Sequence, residues 1–524
     1  MTRQSGLVRS KKDSRARSPD RALASVGSNP AGWRIRLTSQ KFLPKGFAIS
    51  RPTPMIFSAA DRSRKHFRGI LLLSQLEDFW TFVFSSRILP MSRTFLSKAD
   101  ELTERVRCPI HGFIRYSRNE QRIVDHPVFQ RLRNIRQLAM EYLVYPGAMH
   151  TRFEHSLGVM NMASQMFERL EERHSEQILE NLKQVPELGE DTMAKARQIV
   201  RLMGLLHDLG HPAFAHAGEA GIPGKHHEQI SVYGIQGVLG DLLDSTFFPG
   251  TAALLVRLME KSPELAFLSQ LVAGEMDSDR ADYLLRDSLH CGVSYGLFDS
   301  ARLIESITLI RDPDTGRLEI ALHRGGEHTF EAMILARYQM NTQVYLHKIR
   351  RIYDHYVEEY IKLWGPENYH EVGDVLKHDD LSVYHEIRMD AAGDGPRATW
   401  AKRIVGRNHH RVVYETPDNA DHGKLQVAKR ILKSLEAKYD GIDFYLDDSP
   451  VSIYKLSIPG DQEEQQVENL YILGRDGTLT LLTHESAIIS KVPKRVRTVR
   501  IFADARKQTL HDIRAEVNML ERTV

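Results

Sequence analysis

Residues 202–216 read Leu-Met-Gly-Leu-Leu-His-Asp-Leu-Gly-His-Pro-Ala-Phe-Ala-His. An apolar run ends in the adjacent pair His207-Asp208, and His211 and His216 follow. Burying such groups unpaired is costly. A divalent cation removes that cost by taking a neutral imidazole nitrogen and a carboxylate oxygen from one turn of chain. His211 shares a face with His207 only if the helix continues that far; Gly210 and Pro212 predict a break that places His211 and His216 on a loop. Any one of these histidines alone reads as an ordinary hydrogen-bonded residue, whereas the four polar groups together read as a site.

Two other segments offer donors of the same kind. His155 stands near the start of an apolar helical pattern that continues through Val159, Met162, Ala163 and Met166 to Leu170. Residues 276–287 put Asp279, Asp282 and Asp287 into a second helical pattern, where acids on a solvated face would be unremarked. His155, His207, Asp208 and Asp279 together supply two imidazoles and two carboxylates from three separated helices. That is a mixed N/O set, suited to Mn, Fe, Zn, Ni or Mg rather than to a thiolate-bound structural zinc. With four protein ligands an octahedral ion keeps positions for water and a phosphate oxygen.

The elements that must position these groups belong to a chain of 524 residues, long enough for two domains and an extension. Two cysteines, Cys108 and Cys291, exclude a disulfide framework and fit a reducing, cytoplasmic setting. The net charge of +3 averages two unlike parts. Residues 1–68 hold 16 Lys/Arg against Asp13, Asp20 and Asp61, a net of +13 that leaves −10 for the rest. An acidic body argues against a broad nucleic-acid surface, which needs clustered Lys/Arg. Glu77 and Asp78 interrupt the apolar patches between Gly69 and Leu89, so no membrane span is read there.

Three parts are expected. Residues 1–90 form a basic N-terminal extension, read as a transit peptide, a nucleic-acid arm, a disordered tail or a stretch ahead of a true start at Met91; the last two are favoured. Residues 91–365 form a helical catalytic domain, and residues 366–524 a smaller α/β domain for regulation or oligomerisation. Extended segments flank a turn at Pro109–Gly112. A helix is predicted from Asp125 through Ala139, capped by Asp125 with Pro127 in its first turn. Residues 171–192 read as a loop or frayed helix end, and helix resumes at Met193. Further helices are predicted over 225–243, 264–289, 330–363, 371–387 and 424–438. Strands are expected at 306–311 and 318–322, and later at 444–446, 451–458, 470–473, 478–482 and 498–502. The basic run 491–497 reads as a solvated edge.

In order along the chain stand Pro109-Ile-His-Gly112, Phe129-Gln-Arg-Leu-Arg133, Tyr145-Pro-Gly-Ala148, Arg152-Phe-Glu-His-Ser-Leu-Gly158, His207-Asp-Leu-Gly-His211, His227-Glu228 and Asp279-Arg-Ala-Asp-Tyr283. Over roughly residues 105–360 these strings resemble the HD-domain phosphohydrolases, and most closely their deoxynucleoside triphosphate (dNTP) triphosphohydrolase branch, which includes the bacterial dGTPases. The resemblance implies a mainly α fold, an HD-type helical bundle with a smaller C-terminal α/β domain. It implies His155, His207, Asp208 and Asp279 as ligands of a divalent metal. It places His211, His216 and Glu219 at the α-phosphate, with His227 and Glu228 beside them. Arg152, Arg280 and Arg337 would grip the triphosphate, Arg280 standing where some members have Lys. Gln137, Tyr283, Asp287 and Tyr345 would surround the deoxyribose and base, with Leu346 where a relative has Gln. Asp125, Gln130 and Arg133 match a regulatory site for a GTP or dGTP activator, with Arg107-Cys108 in place of an Asn-Asp pair. A dNTP substrate, dGTP first, and a homo-oligomer are implied partners, with neither membrane nor nucleic acid among them.

The resemblance also implies a mechanism: water attacks the α-phosphorus, and His216, oriented by Glu219, protonates the departing 5′-oxygen, releasing a deoxynucleoside and tripolyphosphate. Two other readings use the same donors, an HD phosphodiesterase or nucleotide phosphohydrolase acting on a different ester, and a non-catalytic nucleotide sensor.

Overall fold

The structure is a computed structural model that describes residues 97–222, 226–456 and 468–523. The expectations for residues 1–90, the apolar patches at 69–89 and the Met91 start lie outside them. Within the described residues the chain is mainly α-helical, with four small sheets and a C-terminal α/β part.

The helix Arg152–Leu182 is the spine. Thr151 and Glu154 form a capping box at its start, the Glu154 carboxylate accepting the Thr151 N–H at 3.0 Å. His155, Val159, Met162, Ala163, Met166 and Leu170 then recur three or four residues apart and are all buried. This stripe packs against the helix Thr192–Leu206, and Gly204 sets how closely the two cross, since a Cβ there would stand 2.9 Å from the Met160 Cα. The loop expected from residue 171 is helix as far as Leu182, anchored by buried Ile178 and Leu182 in an otherwise polar stretch. It bends at His174 (φ −133°, ψ 24°), whose ring lies 2.9 Å from the Thr308 hydroxyl.

The helix expected over 125–139 is four residues long, Pro127–Gln130, followed by a 3-10 turn over Arg131–Asn134. Its cap is His126 rather than Asp125, with the His126 ring nitrogen accepting the Val128 N–H at 3.3 Å. Tertiary bonds made by Arg131 override the local pattern. Its buried guanidinium donates to the carbonyls of Leu209 (2.7 Å), His211 (2.9 Å) and His378 (2.9 Å), which pins the segment to the loop after His207-Asp208. As Gly210 and Pro212 predict, the helix Thr192–Leu206 stops before that loop. Phe214 and Ala215 both adopt left-handed backbone (φ 61° and 53°), and the Phe214 N–H is held by Asp380 Oδ1 at 2.7 Å.

Three other predicted helices are interrupted. The stretch 225–243 is His227–Tyr233, a π-turn Gly234–Val238, and a second helix Gly240–Thr246. The stretch 264–289 splits at Gly274 into Ala266–Ala273 and Ser278–Cys291, and the Asp277 carboxylate caps the second by accepting the Arg280 N–H at 2.7 Å. The stretch 330–363 is Glu327–Met340, a π-turn Asn341–Tyr345, and Lys348–Asn368. Such π-turns shift the register of side chains along a helix.

Strands Ile307–Arg311 and Leu318–His323 pair as predicted, and Tyr471–Leu473 and Leu479–Leu481, from far along the chain, extend the same sheet. A second sheet orders Arg411–Glu415, Val499–Asp504 and Asp443–Asp448, packed with the helices His422–Lys438 and Lys507–Thr523. The strand at 411–415 and the helices Ala398–Gly406 and Lys507–Thr523 had no counterpart in the sequence reading. The expected strand 451–458 is only Val451–Ser452 within the described residues, and 371–387 is two helices, Val372–Val375 and Asp380–Ala391. Tyr353, Tyr356, Tyr360 and Trp364 pack the helix Lys348–Asn368 against Val383, Ile387, Ala401, Ile404 and Phe502. No single described helix is long and apolar enough to cross a membrane.

Candidate active site

Three helix ends converge on one point. His155 comes from the first turn of Arg152–Leu182, His207 and Asp208 from the end of Thr192–Leu206, and Asp279 from the first turn of Ser278–Cys291. Asp279 Oδ1 lies 3.0 Å from His155 Nε2 and 3.7 Å from His207 Nε2. Asp208 presents one oxygen 3.7 Å from His155 Nε2 and the other 3.5 Å from His207 Nε2. Both Nε2 atoms are buried and have no hydrogen-bond partner among the described residues, the Asp279 contact being out of line for one. The Nδ1 atoms are fixed from behind, by Asp282 for His155 (2.8 Å) and by the Gly204 carbonyl for His207 (2.9 Å). Two orphaned imidazole nitrogens facing two carboxylates fit a divalent cation.

The electrostatics agree. Burial works against charge on His155, yet the adjoining Asp279 and Asp282 carboxylates outweigh it and hold the imidazole up at about 10. For Asp279 burial raises the carboxyl's pKa, but His155 and His207 bring it below the usual carboxylate range. Without an ion the cluster recruits protons to balance its acids; an ion supplies that charge and lets the imidazoles bind neutral.

Behind this cluster lies a layer that sequence reasoning missed. Asp282 is fully buried and joins His111 Nε2 (2.6 Å), His155 Nδ1 (2.8 Å) and the Arg286 guanidinium (2.8 Å at both Nε and Nη2). Gly158 makes room for it, because a Cβ there would stand 2.0 Å from Asp282 Oδ1. The only sequence signals were the i,i+4 pair Asp282–Arg286 and the His of the Pro-Ile-His-Gly string. Asp282→Asn is expected to weaken metal binding by about 10- to 100-fold by loosening His155. It should also cost about 3–5 kcal/mol of stability by stranding the buried Arg286 charge. Metal titration by calorimetry and thermal unfolding check the two effects, and unchanged metal affinity would show that Asp282 does not orient the ligand.

A second cluster borders the first. The Glu219 carboxylate accepts from His216 Nδ1 (2.8 Å), His227 Nδ1 (2.9 Å) and His226 Nδ1 (3.1 Å). Those histidines hold Glu219 below the usual carboxylate range against the opposing effect of burial. His211 stacks face to face on His227, with centroids 3.9 Å apart at 12°, and its Nε2 lies 3.3 Å from Asp208 Oδ1. Burial, then Arg152 and His227, push His211 well below its ordinary value, so it is a neutral imidazole. Donor atoms of His211, His216, Glu219 and His227 are close enough to hold an ion. However, two stacked rings direct their in-plane lone pairs in parallel, which suits proton handling better than shared coordination.

Both clusters open on a cavity of about 410 Å³. Of the predicted residues, Arg152, Asp208, His211, His216, His227, Asp279 and Arg337 line it, as do Gln137, Tyr283, Asp287, Tyr345 and Leu346. Arg152 is ion-paired to Asp208, and Arg337 keeps its Nε and one terminal nitrogen buried without partners among the described residues. Asp287 is gripped by His150 Nε2 and the Tyr345 hydroxyl, both at 2.7 Å, and the Tyr283 and Tyr345 rings meet edge to face at 6.3 Å. Five residues predicted for the active site are not on the wall: His155, His207 and Glu219 belong to the two clusters, and Arg280 and Glu228 stand apart from them. Arg280 donates to the Gly274 carbonyl (2.5 Å) and faces Glu275 (3.3 Å), because the break at Gly274 turns acids toward it. Glu228 is exposed on its helix, one position round from His227. Asp125, Gln130 and Arg133 lie apart from the cavity, with Arg133 Nε on Gln130 Oε1 (2.8 Å) and its guanidinium 3.5 Å above the Phe153 ring.

Comparison with known proteins matches residues 152–287 to the HD domain and residues 298–439 to the HD-associated region. An uncharacterised protein of Methanocaldococcus jannaschii is 29% identical over 425 residues, covering 80% of this chain and 82% of the relative. The deoxynucleoside triphosphate triphosphohydrolase SAMHD1 of Danio rerio is 25% identical over 453 residues, covering 75% and 70%. The crystal structure of a hypothetical protein from Aquifex aeolicus superposes with a TM-score of 0.63 at 28% identity, over 79% of this chain and 99% of that one.

Proposed function

Because this chain belongs to the HD-domain phosphohydrolase superfamily, in the branch that contains the SAMHD1 enzymes, we propose that it hydrolyses dNTPs, dGTP foremost, to deoxynucleoside and tripolyphosphate. The observation that carries this reading is that one cavity is lined by Asp208 and Asp279 of the His/Asp cluster, by Arg152 and Arg337, and by Tyr283, Asp287 and Tyr345. Those are the chemistries that a triphosphate and a sugar call for, held in one cavity.

His155, His207, Asp208 and Asp279 would hold a divalent ion, which when bound acts as a Lewis acid toward a phosphoryl oxygen and lowers the pKa of water. The chain's own groups do the rest. Arg337, with Arg152 beside it, neutralises charge on the phosphate oxygens. His211, neutral, offers a hydrogen bond and adds no positive charge beside the cation. Attack by water forms a new P–O bond at the α-phosphorus while the bond to the 5′-oxygen breaks, and the proton that water releases replaces the one His216 gives up. His216, held through Nδ1 by Glu219, gives its Nε2 proton to that oxygen, with His227 steadying the carboxylate. Glu228 and Arg280, which the resemblance implies at this site, lie off the cavity wall and take no part in these steps. The Tyr345 and Tyr283 rings would occupy the space of a 2′-hydroxyl, and Gln137, whose Oε1 is buried and unpartnered among the described residues, would accept the 3′-hydroxyl with Asp287 beside it.

The Asp125, Gln130 and Arg133 surface is the proposed guanine-nucleotide activator site, with residues 366–524 as the regulatory or oligomerisation part of a cytoplasmic homo-oligomer. Incubation of metal-loaded protein with each dNTP, with and without GTP, tests the proposal by chromatography of products. Intact tripolyphosphate is expected; pyrophosphate or a monophosphate would favour the phosphodiesterase reading, and no turnover the sensor.

A further inference from the structure

The cavity does not end at the tyrosines. Its wall continues along the helix Lys348–Asn368 through Arg350, Asp354 and Glu358, spaced four residues apart and therefore on one face. Val451, from the strand Val451–Ser452, lines it as well. This stretch is too polar for a wall that only packs.

Arg350 is half-committed. One terminal nitrogen reaches the Tyr345 carbonyl at 3.2 Å, Asp354 Oδ2 lies 3.3 Å from Nε and Glu141 Oε2 3.5 Å from it, yet Nε is buried without a hydrogen bond among the described residues. Asp354 Oδ1 is likewise buried and unpartnered among them. Glu358 forms no hydrogen bond among them, and burial with Asp354 nearby raises it to about 7 against the pull of Arg351 and Lys362. A guanidinium with donors to spare therefore stands one turn past the sugar-facing Tyr345, followed by two carboxyls with free acceptors.

We propose that this end of the cavity reads the base, and that Arg350 with Asp354 and Glu358 selects guanine. Guanine alone among the four bases offers two adjacent acceptors, O6 and N7, to a guanidinium fork, and two adjacent donors, N1–H and N2–H, to a carboxylate. Adenine and cytosine present an amino group toward Arg350, and thymine has one ring N–H where guanine has a pair of donors. The inference rests on the dNTP reading of the same site and adds the residues that set its base preference. Arg350 and Glu358 touch neither the His/Asp cluster nor the Glu219 group.

The test uses the full chain in two arms. In the first, kcat/KM is measured for the four dNTPs with metal supplied, for the parent, Arg350→Ala and Glu358→Gln. In the second, Kd for dGTP and dCTP is measured by calorimetry in chelator, where turnover stops. The parent should favour dGTP in both arms by about 10- to 100-fold, as one bidentate pair provides. Each variant should shrink that preference to within about threefold while dCTP constants hold steady. Glu358→Gln preserves shape should Arg350→Ala unsettle the buried Glu141. A parent that binds dGTP and dCTP equally, or a preference that survives both substitutions, overturns the base-reading assignment. Selective dGTP binding without turnover supports it and overturns the reaction instead.

Discussion

His207→Ala is expected to leave a folded protein that retains little metal and hydrolyses dNTP on the order of 10³-fold more slowly or worse. The size of the effect follows from the placement of the ring. His207 contributes one of only two imidazoles facing Asp208 and Asp279, and its Nδ1 is already spent on the Gly204 carbonyl, so Nε2 has a single use. Asp208 and Asp279 would then face the cation with His155 as the one remaining imidazole of the set. Metal content by elemental analysis and thermal unfolding with and without added ion give readouts independent of activity. At about 100 times Kd, a ligand that binds only the native state adds about 2.7 kcal/mol. The parent should show that stabilisation and the variant should not. Metal binding by the parent should also weaken as the pH falls, because His155 takes up a proton readily and the ion must displace it. A variant that keeps both metal and turnover would remove the cluster from the reaction.

The donor set was legible because coordination needs particular residue types, and a His-Asp pair at the end of an apolar run is costly to bury without a cation to share. The break after Leu206 was legible for a similar reason, since Gly210 and Pro212 act locally. What the sequence concealed was set by tertiary contacts. Residues 125–139 have a good helical period, but Arg131 ties its guanidinium to carbonyls about 80 and 247 positions away and the helix ends after one turn. The register shift at Asn341–Tyr345, which determines where Tyr345 and Arg350 project, leaves no mark in the apolar pattern. Arg280 shows the converse error. Its type and position suited a phosphate, but the break at Gly274 surrounds it with Glu275 and Asp277. Asp282 was legible only as one acid among several; its importance comes from His155 and His111, 127 and 171 positions away in the chain.

His216→Ala should separate proton transfer from metal binding. The side chain is 64% exposed and reaches none of His155, His207, Asp208 or Asp279 at bonding distance, so metal content and thermal stability should match the parent. Turnover should nevertheless fall by about 10²- to 10⁴-fold, the usual range for loss of a positioned general acid. The deficit should depend on the leaving group. A 5′-alkoxide needs a proton as it departs, whereas a nitrophenolate does not, so the variant should cleave a nitrophenyl ester of the triphosphate nearly as well as the parent. Glu219→Gln should give a smaller loss, because the amide oxygen still accepts from His216 Nδ1 and keeps the ring oriented. His227 shares the same carboxylate and is the competing candidate. If His227→Ala loses the alkoxide reaction and recovers with the aryl ester while His216→Ala does neither, the proton comes from His227.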